Sequence, residues 1–271
     1  MIEAGVQGIL VLGVMGEADR LLDEERQAVL QRFVQAADGA VAIVAGTSHA
    51  SAYTTLELTR RAEQVGANAV MVSPPRLAKP NLEAVRAFYE TIASGSAIEI
   101  VVQDHPGSSG VYMPPNFMAE LAADLDNVKA VKLEDPPTPT KMTALRSLAG
   151  AGLRIFGGLG GVALVEELDR GAVGTMTGFA FPEVLVQIWQ SHRSGDTESA
   201  RKLFHHHLPL IQFEAQPFIS LAIRKRIYQM RGIITSDHLR APAPQLDAGT
   251  IRELETLIRE VGLKVGERVA G

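Results

Sequence analysis

Seven short runs rich in valine and isoleucine, at residues 8–14, 40–45, 69–73, 98–103, 128–133, 153–156 and 173–177, constrain this 271-residue chain more than any other feature. Each is nearly continuously apolar instead of alternating polar and apolar. Both faces of each predicted strand should therefore be buried, as in a parallel sheet lying under helices. Amphipathic helical patterns separate the runs, among them 23–37, 53–65, 82–93 and 114–125. The first carries Glu24 and Glu25 in its opening turn, where acidic side chains suit the positive end of a helix dipole. A βαβα alternation at roughly 20 to 33 residues per unit, with no linker, predicts an α/β fold of the closed (β/α) barrel kind. Strand signals stop after Phe181, and 183–192, 198–208, 218–231 and 250–261 read as helices. The expected division is a barrel over 1–182, then the last barrel helix and a C-terminal helical region packed on the barrel over 183–271. A TIM barrel has eight strands, one more than the runs supply. Met1 to Gly5 looks like the last turn of a helix with a glycine cap, so the first strand is expected to be missing, leaving the strands at Gly8 and Val173 with unpaired edges.

Composition removes several function classes. With no cysteine, disulfides, thiolate catalysis and cysteine-ligated metal centres are excluded. A formal net charge of −5 gives no basic footprint for a phosphate backbone, so no nucleic-acid partner is expected. No apolar run approaches the roughly 20 residues of a membrane span, so a membrane partner is not expected and the cytoplasm is the expected location.

In a barrel of this kind the chemistry sits at the C-terminal ends of the strands. Lys132 ends the run at 128–133, and the period-two rule puts it in line with Ala130 and Glu134 and opposite Lys129. A lysine pointing into a barrel loses solvent, which favours the neutral amine that can attack a ketone carbon. The alternative is a structural ion pair with Glu134. Gly13, Val14, Met15, Gly16 and Glu17 close the first strand; such a turn can present successive N–H groups to a carboxylate, or can be a plain strand-to-helix turn. Gly157 to Ala163 matches a G-x-G-x-x-A dinucleotide fingerprint, but it falls in the sixth unit and lacks the acidic residue that should follow the next strand; a tight loop at Gly158 that touches a carboxylate fits better. His205, His206 and His207 are consecutive, so about 100° of helical rotation separates neighbours and they cannot face one metal ion; solvated helix surface is the expectation. His49 and His105, each just beyond a strand, are candidate site linings.

Four segments then combine. Gly13-Val-Met-Gly-Glu17 resembles a G-T-T-G-E loop, Val102-Gln-Asp-His-Pro106 falls at a Y-N-x-P position, Val131-Lys-Leu-Glu134 resembles a G-I-K-E/D strand, and Gly174-Thr-Met-Thr-Gly178 resembles a last-strand glycine turn. Together they resemble the dihydrodipicolinate synthase / N-acetylneuraminate lyase family of Schiff-base barrel enzymes over essentially the whole chain. The resemblance implies a (β/α)8 TIM barrel with a C-terminal helical extension, a homo-oligomer (tetramer or dimer), a small-molecule 2-oxo acid substrate bound as an imine on Lys132, and no metal or other cofactor. The departures are specific. Val14 and Met15 stand at the family's paired threonines, Gln103 at its relay tyrosine, Pro75 or Arg76 near its second relay tyrosine, and Ser108 at the arginine after Y-N-x-P. Val-Gln-Asp-x-Pro, Thr47-Ser-His49, Lys-x-Glu, Met176-Thr-Gly178 and Leu208-Pro-Leu210 look closer to the 2-keto-3-deoxy-L-arabonate dehydratase subgroup.

The expected catalytic set is Lys132, Glu134 and Gln103, and the expected substrate lining is Gly13, Val14, Met15, Gly158, Met176, Ser108 and His49. The leading function is a Schiff-base lyase that dehydrates a 2-keto-3-deoxy sugar acid. Condensation or aldol cleavage of the dihydrodipicolinate synthase kind, a non-catalytic keto-acid-binding barrel with Lys132 held by Glu134, and a nicotinamide-dependent oxidoreductase using the Gly158 loop are the alternatives.

Overall fold

A computed structural model describes residues 1–79 and 81–266. The chain divides into two compact units: Met1–Gly158 with Glu166–Met176, and Leu159–Val165 with the chain from Thr177 onward.

The first unit holds one curled parallel sheet of seven strands in sequence order: β1 Gly8–Val11, β2 Ala42–Gly46, β3 Ala69–Val72, β4 Glu99–Asp104, β5 Val128–Leu133, β6 Arg154–Gly157 and β7 Gly174–Thr175. Helices intervene: α1 Asp23–Ala37, α2 Ala52–Val65, α3 Leu82–Gly95, the single turn α4 Pro106–Ser109, α5 Pro115–Asp124, α6 Thr138–Ala149 and α7 Leu164–Asp169. The near-continuous apolar runs do cover strands buried on both faces. Ile100, Val102, Val131 and Leu133 pack outward with helical Val85, Tyr89, Met118, Leu121, Met142 and Leu145. Val44, Ala69, Met71, Val101 and Ala130 form a separate cluster on the other face, joined by Leu10, Phe156 and Met176. Two faces, two cores: the period-two alternation of each strand sorts its residues between them. Each fully buried Val, Ile or Leu contributes about 1.5–3 kcal/mol, so the paired cores are what hold the strand ends in register.

Helix starts follow local chemistry. Glu25 accepts the Leu22 N–H at the start of α1, and Ser51 and Asn81 accept N–H groups of Thr54 and Ala84 in α2 and α3. Residues 1–5 form two hydrogen-bonded turns ending on Gly5 at φ 81, the left-handed conformation expected of a capping glycine. In the sheet, β1 and β7 are the edges.

The second unit carries α8 Pro182–Arg193, α9 Thr197–Glu214, α10 Ser220–Met230 and α11 Ala248–Glu260. Two expectations are corrected there. The helix expected to stop at Leu208 runs through Pro209 to Glu214, because Leu210, Ile211 and Glu214 beyond the proline are all buried and outweigh the one lost N–H. His207, expected on solvated surface, is buried and donates Nδ1–H to the Leu203 carbonyl at 2.9 Å, because it shares a helix face with Phe204, Leu210 and Ile211; burial lowers its pKa. His205 and His206 do lie on the surface. No helix among the described residues is long and apolar enough to cross a membrane.

Candidate active site at the strand ends

Strand register assembles the site. Ala130 and Val101 belong to the inward cluster, so Lys132 and Gln103, two residues further along β5 and β4, point the same way, and the two are direct partners in the β4–β5 ladder. Met71 places Ser73 on that face by the same rule.

The side chains form a continuous polar line. Lys132 Nζ lies 3.0 Å from Glu134 Oε2. Gln103 Nε2 donates to the same oxygen at 2.8 Å, and its own Oε1 accepts the Ser73 hydroxyl at 2.7 Å. The Ser73 N–H in turn donates to Ser48 Oγ at 2.9 Å. Lys132, Glu134 and Gln103 are buried at 8%, 7% and 3% exposure, which makes each hydrogen bond worth more than it would be in water and any broken one costly. Lysine and glutamate are almost never buried without a partner, and here each is the other's. The amide of Gln103 fixes the orientation of the Glu134 carboxylate.

Gly158 completes this wall. A Cβ there would lie 2.4 Å from Glu134 Oε1, so only glycine lets the carboxylate settle against the backbone. The tight loop expected at Gly158 is observed: Leu159–Gly161 is a 3-10 turn with Gly160 at φ 73, and α7 after it has only six residues. The carboxylate it touches is Glu134.

The structure thus brings together Lys132, Glu134, Gln103 and Gly158, with Met176 on the apolar cluster that also contains Ala130. Gly13 leads into a 3-10 turn, Val14–Gly16, on which Val14 and Met15 are exposed; the Gly16 N–H closes it on the Gly13 carbonyl at 2.9 Å. His49 and Ser108 are exposed and engaged locally, His49 Nδ1 accepting the Ser51 N–H at 3.1 Å and Ser108 Oγ lying 2.8 Å from His105 Nδ1. They are not part of the hydrogen-bonded line.

Sequence reasoning missed Ser73, whose hydroxyl joins the line through Gln103. Its position two residues beyond Met71 was the available signal. A set of buried polar groups lies behind the strand ends as well. Asp104, adjacent to Gln103 but on the opposite face, contacts Lys141 Nζ at 2.6 Å, and Lys141 also bonds Asp135 at 2.8 Å. Burial pushes the Asp104 carboxyl up to about 6 against the pull of Lys141. Tyr89, whose hydroxyl donates to the Val72 carbonyl at 2.9 Å, is raised by the same cause. Asp104 also accepts the Glu134 N–H on its backbone carbonyl at 2.8 Å, which ties this outer layer to Glu134.

Known proteins share this arrangement of strands. L-2-keto-3-deoxyarabonate dehydratase of Azospirillum brasilense is 30% identical over 266 residues, 96% of this chain and 85% of that protein. 4-Hydroxy-tetrahydrodipicolinate synthase of Thermotoga sp. strain RQ2 is 28% identical over 269 residues, 97% and 90% of the two chains. The crystal structure of dihydrodipicolinate synthase from Rhodopseudomonas palustris superposes with a TM-score of 0.90 at 32% identity, over 95% of this chain and 87% of that one. YagE from E. coli K12, solved in complex with pyruvate, gives 0.90 at 25% identity, over 97% and 89%. The model of the dihydrodipicolinate synthetase family matches residues 1–261, nearly the whole chain, and the chain belongs to that family.

Proposed function

We propose that this chain is a Schiff-base lyase that removes water from a 2-keto-3-deoxy sugar acid. The observation that carries the reading is the buried line Lys132–Glu134–Gln103 at the ends of β5 and β4, with the amine 3.0 Å from a carboxylate that can take its proton. Lys132 passes a proton to Glu134, and the neutral amine attacks the C2 carbonyl. The Glu134 proton leaves with the carbinolamine hydroxyl as water, which forms the iminium and restores the carboxylate. The iminium acidifies C3–H, Glu134 takes that proton to give an enamine, and the enamine expels the C4 hydroxyl, protonated by Glu134, as a second water. Hydrolysis returns Lys132 and releases an unsaturated 2-oxo acid. Gln103 keeps Glu134 aimed throughout, and the N–H groups of the Gly13–Met15 turn are the proposed seat of the substrate carboxylate, with Gly158 and Met176 as walls. His49 and Ser108 are the proposed outer lining, and the enzyme is proposed to work as a homo-oligomer. The dehydratase relative supports the choice of reaction.

A second reading, condensation or cleavage with an aldehyde, is favoured by the Ser73 hydroxyl on Gln103 and by the Thermotoga synthase relative. Product analysis separates the two: incubation with 2-keto-3-deoxy pentonates and hexonates should yield an acid lighter by one water. Release of pyruvate with an aldehyde, or efficient condensation of pyruvate with aspartate semialdehyde, would replace the first reading by the second.

A further inference from the structure

Two buried carboxyl groups press on one glycine pair. A Cβ on Gly158 would fall 2.4 Å from Glu134 Oε1, and a Cβ on Gly157 would fall 1.7 Å from Glu167 Oε2, so the peptide at the end of β6 is held from its two sides by the proposed base and by a glutamate of α7. Glu167 is 1% exposed and buries Oε2 without a hydrogen-bond partner, while Oε1 accepts the Thr138 hydroxyl at 2.6 Å. Thr138 opens α6, the helix that follows the loop carrying Glu134. A buried polar atom left unpaired costs about 1–3 kcal/mol, so a hydrophobic residue would serve packing better at this position unless the carboxyl has a use.

We propose that Glu167 is a positioning residue for Glu134: anchored by Thr138 and seated against Gly157, its carboxyl backs the glycine pair and fixes the place that Glu134 takes opposite Lys132. The proposal rests on the Schiff-base reading for its consequence in turnover, but the coupling between the carboxyls is independent of it. Three groups act on the Glu167 carboxyl among the described residues: the Thr138 hydroxyl from α6, Glu134 from the end of β5, and Glu166 on its own helix. Thr175 on β7, paired in register with Gly157, carries a second buried unpartnered oxygen on the face that Gly157 turns toward Glu167. Burial raises the Glu167 carboxyl to about 7; the Thr138 hydrogen bond pulls it down, and the Glu134 and Glu166 charges push it up. Glu167 is thus expected to gain its charge close to neutral pH.

Two measurements test this. In carboxyl 13C NMR titrations of the full chain, the Glu167 midpoint should fall by about half a unit or more in Glu134→Gln, where one of the neighbouring charges is gone, and should rise in Thr138→Val, where the donor is gone. In turnover, Glu167→Gln should lower kcat by about ten- to a hundredfold with KM changed by less, should keep imine trapping at Lys132, and should erase an ionisation near pH 7 from the kcat profile. A Glu167 midpoint that ignores both substitutions, or a Glu167→Gln enzyme with unaltered kcat and pH profile, would overturn the proposal. Should wild type trap no 2-oxo acid, the Schiff-base reading falls while the titrations still decide the coupling.

Discussion

Each unit of the molecule buries a short ion pair on a glutamate, and in the proposed function the two pairs do different work. In the sheet unit Lys132 meets Glu134 at 3.0 Å, with side chains 10% and 9% exposed; in the helical unit Arg224 Nε meets Glu214 Oε1 at 2.7 Å, with side chains 7% and 2% exposed. Distance and burial are therefore not what distinguishes a reactive pair from a structural one. The cation is. A guanidinium keeps its proton at any physiological pH and spreads its charge over a planar fork, whereas an amine can lose a proton and become a nucleophile. The surroundings differ too. Glu214 accepts Arg224 on one oxygen and the Ala180 N–H on the other at 2.9 Å, and Arg231 binds the Ala180 carbonyl while pairing with Glu183, so the backbone before α8 is clamped from both sides. Glu134 receives Lys132 and Gln103 on the same oxygen.

The comparison breaks first at the carboxylates. Glu134→Gln should lower turnover by roughly two to four orders of magnitude, the worth of a positioned general base, while imine trapping at Lys132 survives. Full activity in that variant would mean that the base is another group. At the helical pair, Arg224→Ala should cost about 3–5 kcal/mol of stability by leaving the buried Glu214 without its cation, read as a lower denaturation midpoint, with trapping per folded molecule unchanged. A catalytic defect without a stability loss would erase the distinction between the pairs.

The pH axis sharpens it with a smaller effect. Glu167 binds its proton more tightly folded than unfolded, 4.5 rising to about 7, so its contribution is fully present below the unfolded value and is lost as pH rises through the folded one. At about 1.4 kcal/mol per unit this amounts to at most about 3.5 kcal/mol. Asp104, raised to about 6, acts in the same direction. Asp196 and Asp247, exposed caps of α9 and α11, are lowered by the hydrogen bonds of Ser199 and Thr250; they stabilise above the unfolded carboxylate range and lose that effect as pH falls through their folded values. Hydrogen-exchange protection should therefore weaken in the sheet unit from about pH 4 to 7, and in the α9 and α11 starts only in acid. Uniform pH dependence across both units would contradict this.

What was legible in the sequence follows from the range of the forces involved. The residues of β5, 128–133, and of α1, Asp23–Ala37, were readable because an apolar run or a helical period is a local pattern. Lys132 and Glu134 were readable because period two fixes a face once the strand is known. Glu167 was not: Glu166 and Glu167 look like acidic residues of a first helical turn, and only the missing side chain of Gly157 makes room to bury one of them. Ser73 and Arg224 depend in the same way on contacts between residues apart in sequence, which no local period records.

The central claim is that Lys132 is the nucleophile of its pair. Lys141 is the sharpest internal control, since it too is largely buried, but it is held between Asp104 and Asp135 at 2.6 and 2.8 Å. Borohydride added with pyruvate or a 2-keto-3-deoxy acid, followed by intact mass and peptide mapping, should give a single reduced adduct on Lys132 that disappears in Lys132→Ala and Lys132→Arg. An adduct on Lys141 or another lysine, or none with any 2-oxo acid, would contradict the account.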